Sequence, residues 1–197
     1  MIYNDGKAGF LTSIIGPMFS EKSGELIKRC LLAQKYQGKK VVVYKPALDN
    51  RYSEDEVVSR IGLRIMAHRL EQNLSQADLD TVYKICADAD IVAFDEAQFF
   101  SHELVALVEK FVSDGKHVIV AGLNLDFLGK PFGHLDEILL FSDEIEMKSA
   151  FCACCGRPAM YTQRLVNGNP VTEGDLVLIG DTEAYEPRCR LCYVRKR

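Results

Sequence analysis

Short apolar runs alternate with longer amphipathic stretches between residues 10 and 145. This alternation is typical of a parallel sheet covered by helices. We therefore predict an α/β fold with a parallel sheet as its core. The expected strands are Phe10–Ile15, 40–44, Ile91–Phe94 and 117–121, and the expected helices are 22–36, 75–86 and 101–113.

Turn and capping residues set the limits of these elements. Gly38 is expected to end the first helix, and Ser75 with Asp78 three residues later predicts a capping box at the start of the second. Residues 45–53 and 122–133 lack a helical or strand period and contain proline or glycine, so we predict loops there. The second of these loops is expected to lie at a functional site.

The character of the chain changes at about Ser149, where paired cysteines, glycine, proline and asparagine become frequent. We predict a nucleotide-binding domain over residues 1–148 and a small second domain over 149–197. Asn167-Gly168 within the second part indicates a β-hairpin.

Composition narrows the classes of function. The chain has 197 residues and a net charge of −4, with a pI near 5.6, so no overall positive charge attracts nucleic acid. No stretch is long and apolar enough to cross a membrane, and the first ten residues do not resemble a secretion signal. A cytoplasmic location is therefore expected. In that reducing compartment, an odd cysteine count with paired spacings favours a metal site over disulfides.

A candidate phosphate loop lies between the first strand and the first helix. Such loops wrap backbone N–H groups around phosphates, and they place a lysine on the phosphate oxygens and a hydroxyl on Mg²⁺. An ordinary turn with a chance Lys-Ser pair is the alternative. The residues of this phosphate loop are Gly16, Pro17, Met18, Phe19, Ser20, Glu21, Lys22 and Ser23.

Glu21 occupies the position of the second glycine in the usual GxxxxGK[ST] pattern. A carboxylate about 6 Å from a phosphate charge is repelled by roughly 2.8 kcal/mol at a dielectric constant of about 20, and by about 0.7 kcal/mol in water. Glu21 is therefore expected either to face solvent or to weaken nucleotide binding. A left-handed backbone at this position would add steric strain.

Two acidic residues, Asp95 and Glu96, follow the predicted strand Ile91–Phe94. One carboxylate there can hold the water shell of Mg²⁺, and the other can accept a proton from an attacking hydroxyl. A helix start or solvated turn is the alternative. Beside the candidate phosphate loop, the pair favours phosphoryl transfer.

Other side chains remain open to two interpretations. An arginine in the polar run Asp49, Asn50 and Arg51 can neutralise a phosphate, although an exposed arginine is more often solvated. Aromatic residues can stack on a planar base, although most are simply packed. The candidates for stacking are Phe99, Phe100, Phe127 and Phe132.

Two CxxC pairs in the C-terminal part indicate a zinc site, because tetrahedral Zn²⁺ takes four ligands and each pair supplies two. Redox-active or buried cysteines are the alternatives. The predicted ligands are Cys152, Cys155, Cys189 and Cys192, whereas Cys154 is expected to be a bystander and Cys30 and Cys86 to belong to the core.

Together, these motifs resemble the zinc-containing thymidine kinase family of the cytosolic type. The resemblance rests on GPMFSxKS, KPALDNRYS, FDEAQFF, GLNLDFLGKPFG, YTQRL and IGDTEAYEPRCRLC, which occur in the family's order. It implies a RecA-like P-loop core, a zinc-anchored lasso over the nucleoside, and transfer of the γ-phosphoryl group of ATP to thymidine or deoxyuridine. It also implies a homotetramer, with thymidine triphosphate as a feedback inhibitor.

The resemblance also implies roles for individual residues. The phosphate loop would hold ATP, and the phosphates would be flanked by Asp49, Asn50 and Arg51. Asp95 and Gln98 would help to place Mg²⁺ and the nucleotide. Glu96 would act as the catalytic base. The four cysteines would carry a structural Zn²⁺. The nucleoside would contact Phe127, Thr162, Tyr185 and the backbone of Leu176, Val177, Leu178, Ile179 and Gly180.

Three residues depart from the family pattern: Glu21, Gly24 and Asp181. Glu21 motivates a second hypothesis, a weakened or inactive member that binds a nucleotide without turnover. A third hypothesis, a zinc-ribbon ATPase that binds nucleic acid, is disfavoured by the low pI.

Overall fold

The computed structural model describes residues 8–49, 55–174 and 185–195. A six-stranded sheet with every neighbouring pair parallel forms its centre, in the order β5-β2-β6-β7-β1-β8. The prediction of an α/β fold with a parallel core is confirmed. The strands of this sheet are β1 (Phe10–Ile15), β2 (Val41–Pro46), β5 (His68–Leu70), β6 (Ile91–Phe94), β7 (His117–Gly122) and β8 (Glu144–Met147).

The helices are α1 (Lys22–Gln37), α2 (Gln76–Ile85), α3 (Glu103–Ser113) and α4 (Leu135–Leu140), with a 3₁₀ turn at Ala97–Phe99. Gly38 ends α1 in the left-handed conformation, with φ of 64°, as expected for a glycine cap. The predicted capping box is confirmed: the Ser75 hydroxyl accepts from the Asp78 N–H, and the Asp78 carboxylate accepts from the Ser75 N–H.

Apolar side chains cover both faces of the sheet. Val92 and Phe94 of β6 pack on one side with residues of α2, α3 and α4. Ile91 and Ala93 point the other way and pack against α1 and the small hairpin of β3 (Glu56–Val58) and β4 (Arg64–Met66). A strand buried on both faces is apolar throughout, which is why the run at 91–94 predicted it correctly.

Several boundaries differ from the sequence prediction. The expected loop at 45–53 is wrong at its start, because β2 continues through Lys45 and Pro46. Lys45 is only 2% exposed and its ammonium donates to the Glu56 carbonyl, so a charged residue ends a buried strand. α3 begins at Glu103 instead of residue 101. The elements β3, β4, β5, α4 and β8 were not predicted.

The C-terminal part contains small antiparallel sheets. β9 (Ala150–Phe151) pairs with β10 (Pro158–Ala159), and β11 (Tyr161–Val166) pairs with both β12 (Asn169–Pro170) and β13 (Tyr185–Arg188). Asn167 and Gly168, with φ of 52° and 76°, form the predicted hairpin turn. The division at residue 148 stays a prediction. None of the helices in the described ranges is both long and apolar enough to span a bilayer.

Candidate active site and cysteine cluster

One cleft lies at the carboxyl ends of the parallel strands, where ligands of open α/β sheets bind. The cleft is lined by most of the phosphate loop, by Asp49, Asp95 and Glu96, and by Phe127, Thr162 and Tyr185. Residues far apart in sequence are thus brought together as expected. The predicted site residues Asn50, Arg51, Leu176, Val177, Leu178, Ile179 and Gly180 lie outside the described residues, as does Asp181.

The phosphate loop is closed by contacts to one of its own carbonyl groups. The Ser20 hydroxyl and the Lys22 ammonium both donate to the Pro17 carbonyl oxygen, at 2.8 and 2.7 Å. Lys22 is only 8% exposed. Its ammonium is therefore held against the loop. Phosphates bound by the loop are expected to contact it there.

Glu21 has a left-handed backbone, with φ of 57° and ψ of 38°. The left-handed backbone that we expected to add steric strain at this position is therefore present. The side chain turns along α1: a Cβ atom added to Gly24 would lie 2.7 Å from Glu21 Oε2 and 3.5 Å from Ser59 Cβ. Within the described ranges, this buried oxygen has no hydrogen-bond partner. Two of the departures from the family pattern, Glu21 and Gly24, are thus related, because a side chain at position 24 would meet the Glu21 carboxylate.

Ser23 and Asp95 join the phosphate loop to the end of β6. The Ser23 hydroxyl donates to Asp95 Oδ1 at 3.1 Å, and Asp95 is 3% exposed. Burial, together with the nearby Glu96 carboxylate, raises the pKa of Asp95 to about 7, against the opposing effect of the Ser23 hydrogen bond. A hydroxyl and a carboxylate are hard oxygen donors, which fit Mg²⁺.

We expect Asp95→Asn to stabilise the ligand-free protein at pH 8. Because folding raises the pKa from 3.8 to about 7, the folded state binds more protons between these values, and stability falls as the pH rises through them. Removing the charge should recover about 1–4 kcal/mol at pH 8 and little at pH 4. Denaturant unfolding across this pH range measures the difference.

The matched control is Asp88→Asn, because the Asp88 side chain is 88% exposed. This control should leave the pH dependence of stability unchanged. A buried-charge effect at Asp95 is contradicted if the stability difference between Asp95→Asn and the unaltered protein does not grow from pH 5 to pH 8.

Glu96 lies beside Asp95 in a constrained conformation. Its φ is 47°, which is unusual for a residue other than glycine and is frequent at functional sites. The Gln98 amide donates to Glu96 Oε2 at 2.7 Å, while Gln98 Oε1 accepts the Leu123 N–H at 2.9 Å. Gln98 therefore holds the Glu96 carboxylate in place from behind the cleft, a role that sequence reasoning missed.

Gly122 explains how Gln98 reaches this position. A Cβ atom at Gly122 would lie 2.6 Å from Gln98 Oε1, 2.7 Å from Leu135 Cδ1 and 3.3 Å from the Ala97 nitrogen. The end of β7 thus approaches the 3₁₀ turn too closely for any residue other than glycine at position 122. In the sequence, Gly122 indicates only the start of the predicted loop at 122–133 and does not reveal this contact.

The cleft is also lined by residues expected to contact a nucleoside. Phe127 is 3% exposed, and the Arg164 guanidinium lies 5.1 Å from its ring centre. Phe99 and Phe132 line the cleft and meet edge to face at 5.5 Å, whereas Phe100 is in the core.

Thr162 has a contact that the sequence did not indicate. Its hydroxyl oxygen accepts the Met18 N–H of the phosphate loop at 3.0 Å, and the residue is 3% exposed. β11 therefore supports the phosphate loop directly. The hydroxyl of Thr162 still has its own proton to donate into the cleft, which it lines.

The four predicted metal ligands form a cluster, called here the cysteine cluster. One sulfur atom from each of Cys152, Cys155, Cys189 and Cys192 lies within 4.8 Å of the others, an arrangement compatible with zinc. Burial acts to raise the pKa of Cys152, but backbone hydrogen bonds from Cys189, Cys154 and Cys155 outweigh it and lower that pKa to about 6. A thiolate is the form that binds zinc. Hydrogen bonds with Cys155 and Cys189 raise the pKa of Cys192 instead, so zinc binding would release a proton there.

The cysteine cluster also contacts the phosphate loop. The ring of Phe19, whose backbone is left-handed with φ of 68°, packs against the small apolar group formed by Cys152, Cys189 and two alanines. The Arg60 guanidinium also lies 4.1 Å from the centre of the Phe19 ring. The cysteine cluster thus supports the loop expected to hold phosphates.

Comparison with known families identifies the chain. A family model described as thymidine kinase matches residues 9–193, which include the phosphate loop, the Asp95-Glu96 pair and all four cysteines of the cluster. The match covers nearly the whole sequence, so the resemblance seen in the motifs is confirmed. The chain belongs to the thymidine kinase family.

Proposed function

We propose that this protein transfers the γ-phosphoryl group of ATP to the 5′-hydroxyl of thymidine or deoxyuridine. The observation that carries the proposal is the 3.1 Å hydrogen bond between Ser23 and Asp95, with Glu96 beside it. This contact brings the start of α1, which follows the phosphate loop, and the acidic pair together at one point of the cleft. Phosphoryl transfer needs such convergence, since its catalysis depends on positioning and charge stabilisation.

The donor half of the reaction belongs to the phosphate loop. In our proposal, backbone N–H groups between Gly16 and Ser23 hold the phosphates and Lys22 neutralises their oxygens. Lys22 would exchange its bond to the Pro17 carbonyl for a phosphate oxygen, a short movement because it already lies at the loop. Ser23, Asp95 and Asp49 would hold Mg²⁺, which when bound neutralises charge on the β- and γ-phosphates.

The acceptor half belongs to Glu96. Its carboxylate would take the proton of the nucleoside 5′-hydroxyl as the oxygen forms its bond to the γ-phosphorus. The bond from that phosphorus to the bridging oxygen breaks, and ADP leaves with the electron pair. Gln98, bonded to Glu96 at 2.7 Å, would keep the accepting oxygen correctly oriented.

The nucleoside would lie against Phe127 and Tyr185, with Thr162 near the phosphate loop. Backbone groups of residues 176–180 are proposed to recognise the base, as the family resemblance implies. We also propose that the cysteine cluster holds structural Zn²⁺ and that thymidine triphosphate inhibits the enzyme. The homotetramer stays an implication of the family resemblance, and the cytoplasmic location stays a prediction from the sequence.

Incubation of the purified protein with thymidine, Mg²⁺ and radiolabelled ATP tests the proposed reaction. Label transferred from the γ-position to a nucleoside monophosphate, and dependent on Mg²⁺, is the expected result. Deoxyuridine should also be accepted. Absence of transfer to any pyrimidine deoxynucleoside, at millimolar substrate concentrations, would refute the assignment.

The alternative of a weakened or inactive nucleotide-binding member gains no support from the family match. Glu21 nevertheless predicts a measurable effect on ATP. We expect Glu21→Gly to lower the KM for ATP between about 3-fold and 100-fold, which corresponds to removing roughly 0.7–2.8 kcal/mol of repulsion. Steady-state kinetics with varied ATP measures this change.

Glu21→Gln is the matched control, because it removes the charge but keeps a side chain on the left-handed backbone. If charge dominates, both variants lower KM equally. Relief of backbone strain appears separately, as an increase of roughly 1 kcal/mol in the unfolding free energy of Glu21→Gly alone. Identical ATP kinetics in all three proteins would show that the Glu21 carboxylate does not act on the phosphates.

A further inference from the structure

Three side chains away from the catalytic residues converge where α3 and α4 begin. His102 precedes α3, His134 precedes α4, and Glu137 lies in the first turn of α4. His102 Nε2 is 2.9 Å from Glu137 Oε2, and His134 Nδ1 is 3.0 Å from Glu137 Oε1. The two imidazole rings meet edge to face at 4.9 Å. We call these residues the histidine–glutamate group.

We propose that the histidine–glutamate group binds a divalent transition-metal ion of the zinc or nickel type. One donor atom from each of the three residues lies within 4.8 Å of the others. Imidazole nitrogen with a carboxylate oxygen suits Zn²⁺ and Ni²⁺, whereas Mg²⁺ and Ca²⁺ prefer oxygen donors alone. The donor set therefore indicates the class of ion.

The spacing of the donor atoms supports this assignment. Zinc–nitrogen and zinc–oxygen bonds are about 2.0–2.2 Å long, so two ligands of a tetrahedral ion lie about 3.3 Å apart. The nitrogen–oxygen distances of 2.9 and 3.0 Å need to widen by only a few tenths of an ångström. These two distances run to different oxygens of Glu137, and one donor atom from each residue lies within 4.8 Å of the others, so a bound ion would also draw the donor atoms closer together.

Solvent can reach the group. The side chains of His102, His134 and Glu137 are 61%, 39% and 45% exposed. An ion can therefore enter directly, and water can complete its coordination. As an isolated surface ion pair, this arrangement would contribute little to stability. Metal binding, in contrast, needs all three side chains to converge on one point, as they do here.

A bound ion would connect two segments that line the cleft. His102 follows the turn carrying Phe99, and His134 follows the loop carrying Phe132. These two aromatic rings already touch at 5.5 Å. The ion would fix the starts of α3 and α4 relative to each other, next to this aromatic pair. It is chemically distinct from the cysteine cluster, which offers four thiolates and no imidazole.

Titration of the purified full-length protein, with its cysteine cluster loaded with zinc beforehand, tests the proposal. The probe is Ni²⁺, followed by calorimetry. We expect one ion per chain, and we expect the double variant His102→Gln/His134→Asn to bind it at least about tenfold more weakly. Glu137→Gln should also weaken binding, and it keeps both imidazoles in case the double variant folds poorly.

His68→Gln is the matched control, because His68 is exposed but lies on β5, outside the group. It should bind Ni²⁺ as the unaltered protein does. The chain has only four histidines, so paramagnetic broadening of their NMR signals gives a second readout. The signals of His102 and His134 should broaden first.

Unchanged affinity in the double variant would overturn the proposal. So would an equal loss in His68→Gln, or the absence of any Ni²⁺ binding beyond the loaded cluster. A rise in the unfolding temperature on adding Ni²⁺, seen in the unaltered protein and in His68→Gln but not in the double variant, supports it.

Discussion

Glu96→Gln is expected to lower kcat for thymidine by a factor of about 10²–10⁴, the usual contribution of a general base. Glutamine has the same shape and can still accept the Gln98 hydrogen bond, which measures 2.7 Å in the unaltered protein. It cannot take the proton of the attacking hydroxyl. Because geometry is preserved while proton transfer is lost, the effect should appear in kcat, with the dissociation constant of ATP nearly unchanged.

Single-turnover kinetics and equilibrium ATP binding separate these two quantities. The matched control is Glu109→Gln, since Glu109 is an exposed residue of α3. It should leave both kcat and ATP binding intact. Undiminished turnover in Glu96→Gln would remove Glu96 from the role of base, and Asp95 would become the remaining candidate at this end of β6.

Cys189→Ser is the second change with a large expected effect. Structural zinc sites contribute on the order of 10 kcal/mol to folding, and the loss of one of four thiolates should forfeit much of that. For a chain of this size, we expect the unfolding temperature to fall by roughly 10 °C or more. Zinc content and thermal unfolding are the measurements, made on the same samples.

Cys154→Ser is a close control, because Cys154 is exposed and adjacent in sequence to Cys155 but outside the cysteine cluster. It should retain one zinc per chain and the original unfolding temperature. Purified, unaltered protein without stoichiometric metal would contradict the zinc assignment directly.

Loss of zinc should also raise the KM for ATP. Phe19 of the phosphate loop packs against Cys152 and Cys189, so disorder in the cysteine cluster removes one side of its packing. The KM for ATP should therefore rise in Cys189→Ser even at temperatures where the core remains folded. An unaltered KM under those conditions would mean that Phe19 does not depend on the metal.

The core of the fold was predictable because its strands are apolar on both faces. The run at 91–94 and the caps at Gly38 and Ser75 gave strong local signals. β3, β4 and β5 have only three residues each, too few to establish a period. β8 was missed because it carries Glu144 and Glu146, whose charges are offset by Arg29 of α1, a contact that becomes evident only in three dimensions.

The site was partly predictable for a similar reason. Asp95 and Glu96 follow a buried strand, and the cysteine pairs have metal-ligand spacing, so local pattern indicated both. The hydrogen bond from Met18 to Thr162 joins residues 144 positions apart, and the bond from Leu123 to Gln98 depends on how β7 approaches the 3₁₀ turn. No local pattern carries such information.

The left-handed backbone of Glu21 has a consequence for how proteins of this kind are found in genomes. A search pattern that requires glycine immediately before the lysine of the phosphate loop would discard this chain, although its loop joins β1 to α1 at the expected place. Glu21 has a positive φ at that position, a conformation that favours glycine. A sequence pattern that also accepts residues other than glycine at this position would retain such sequences.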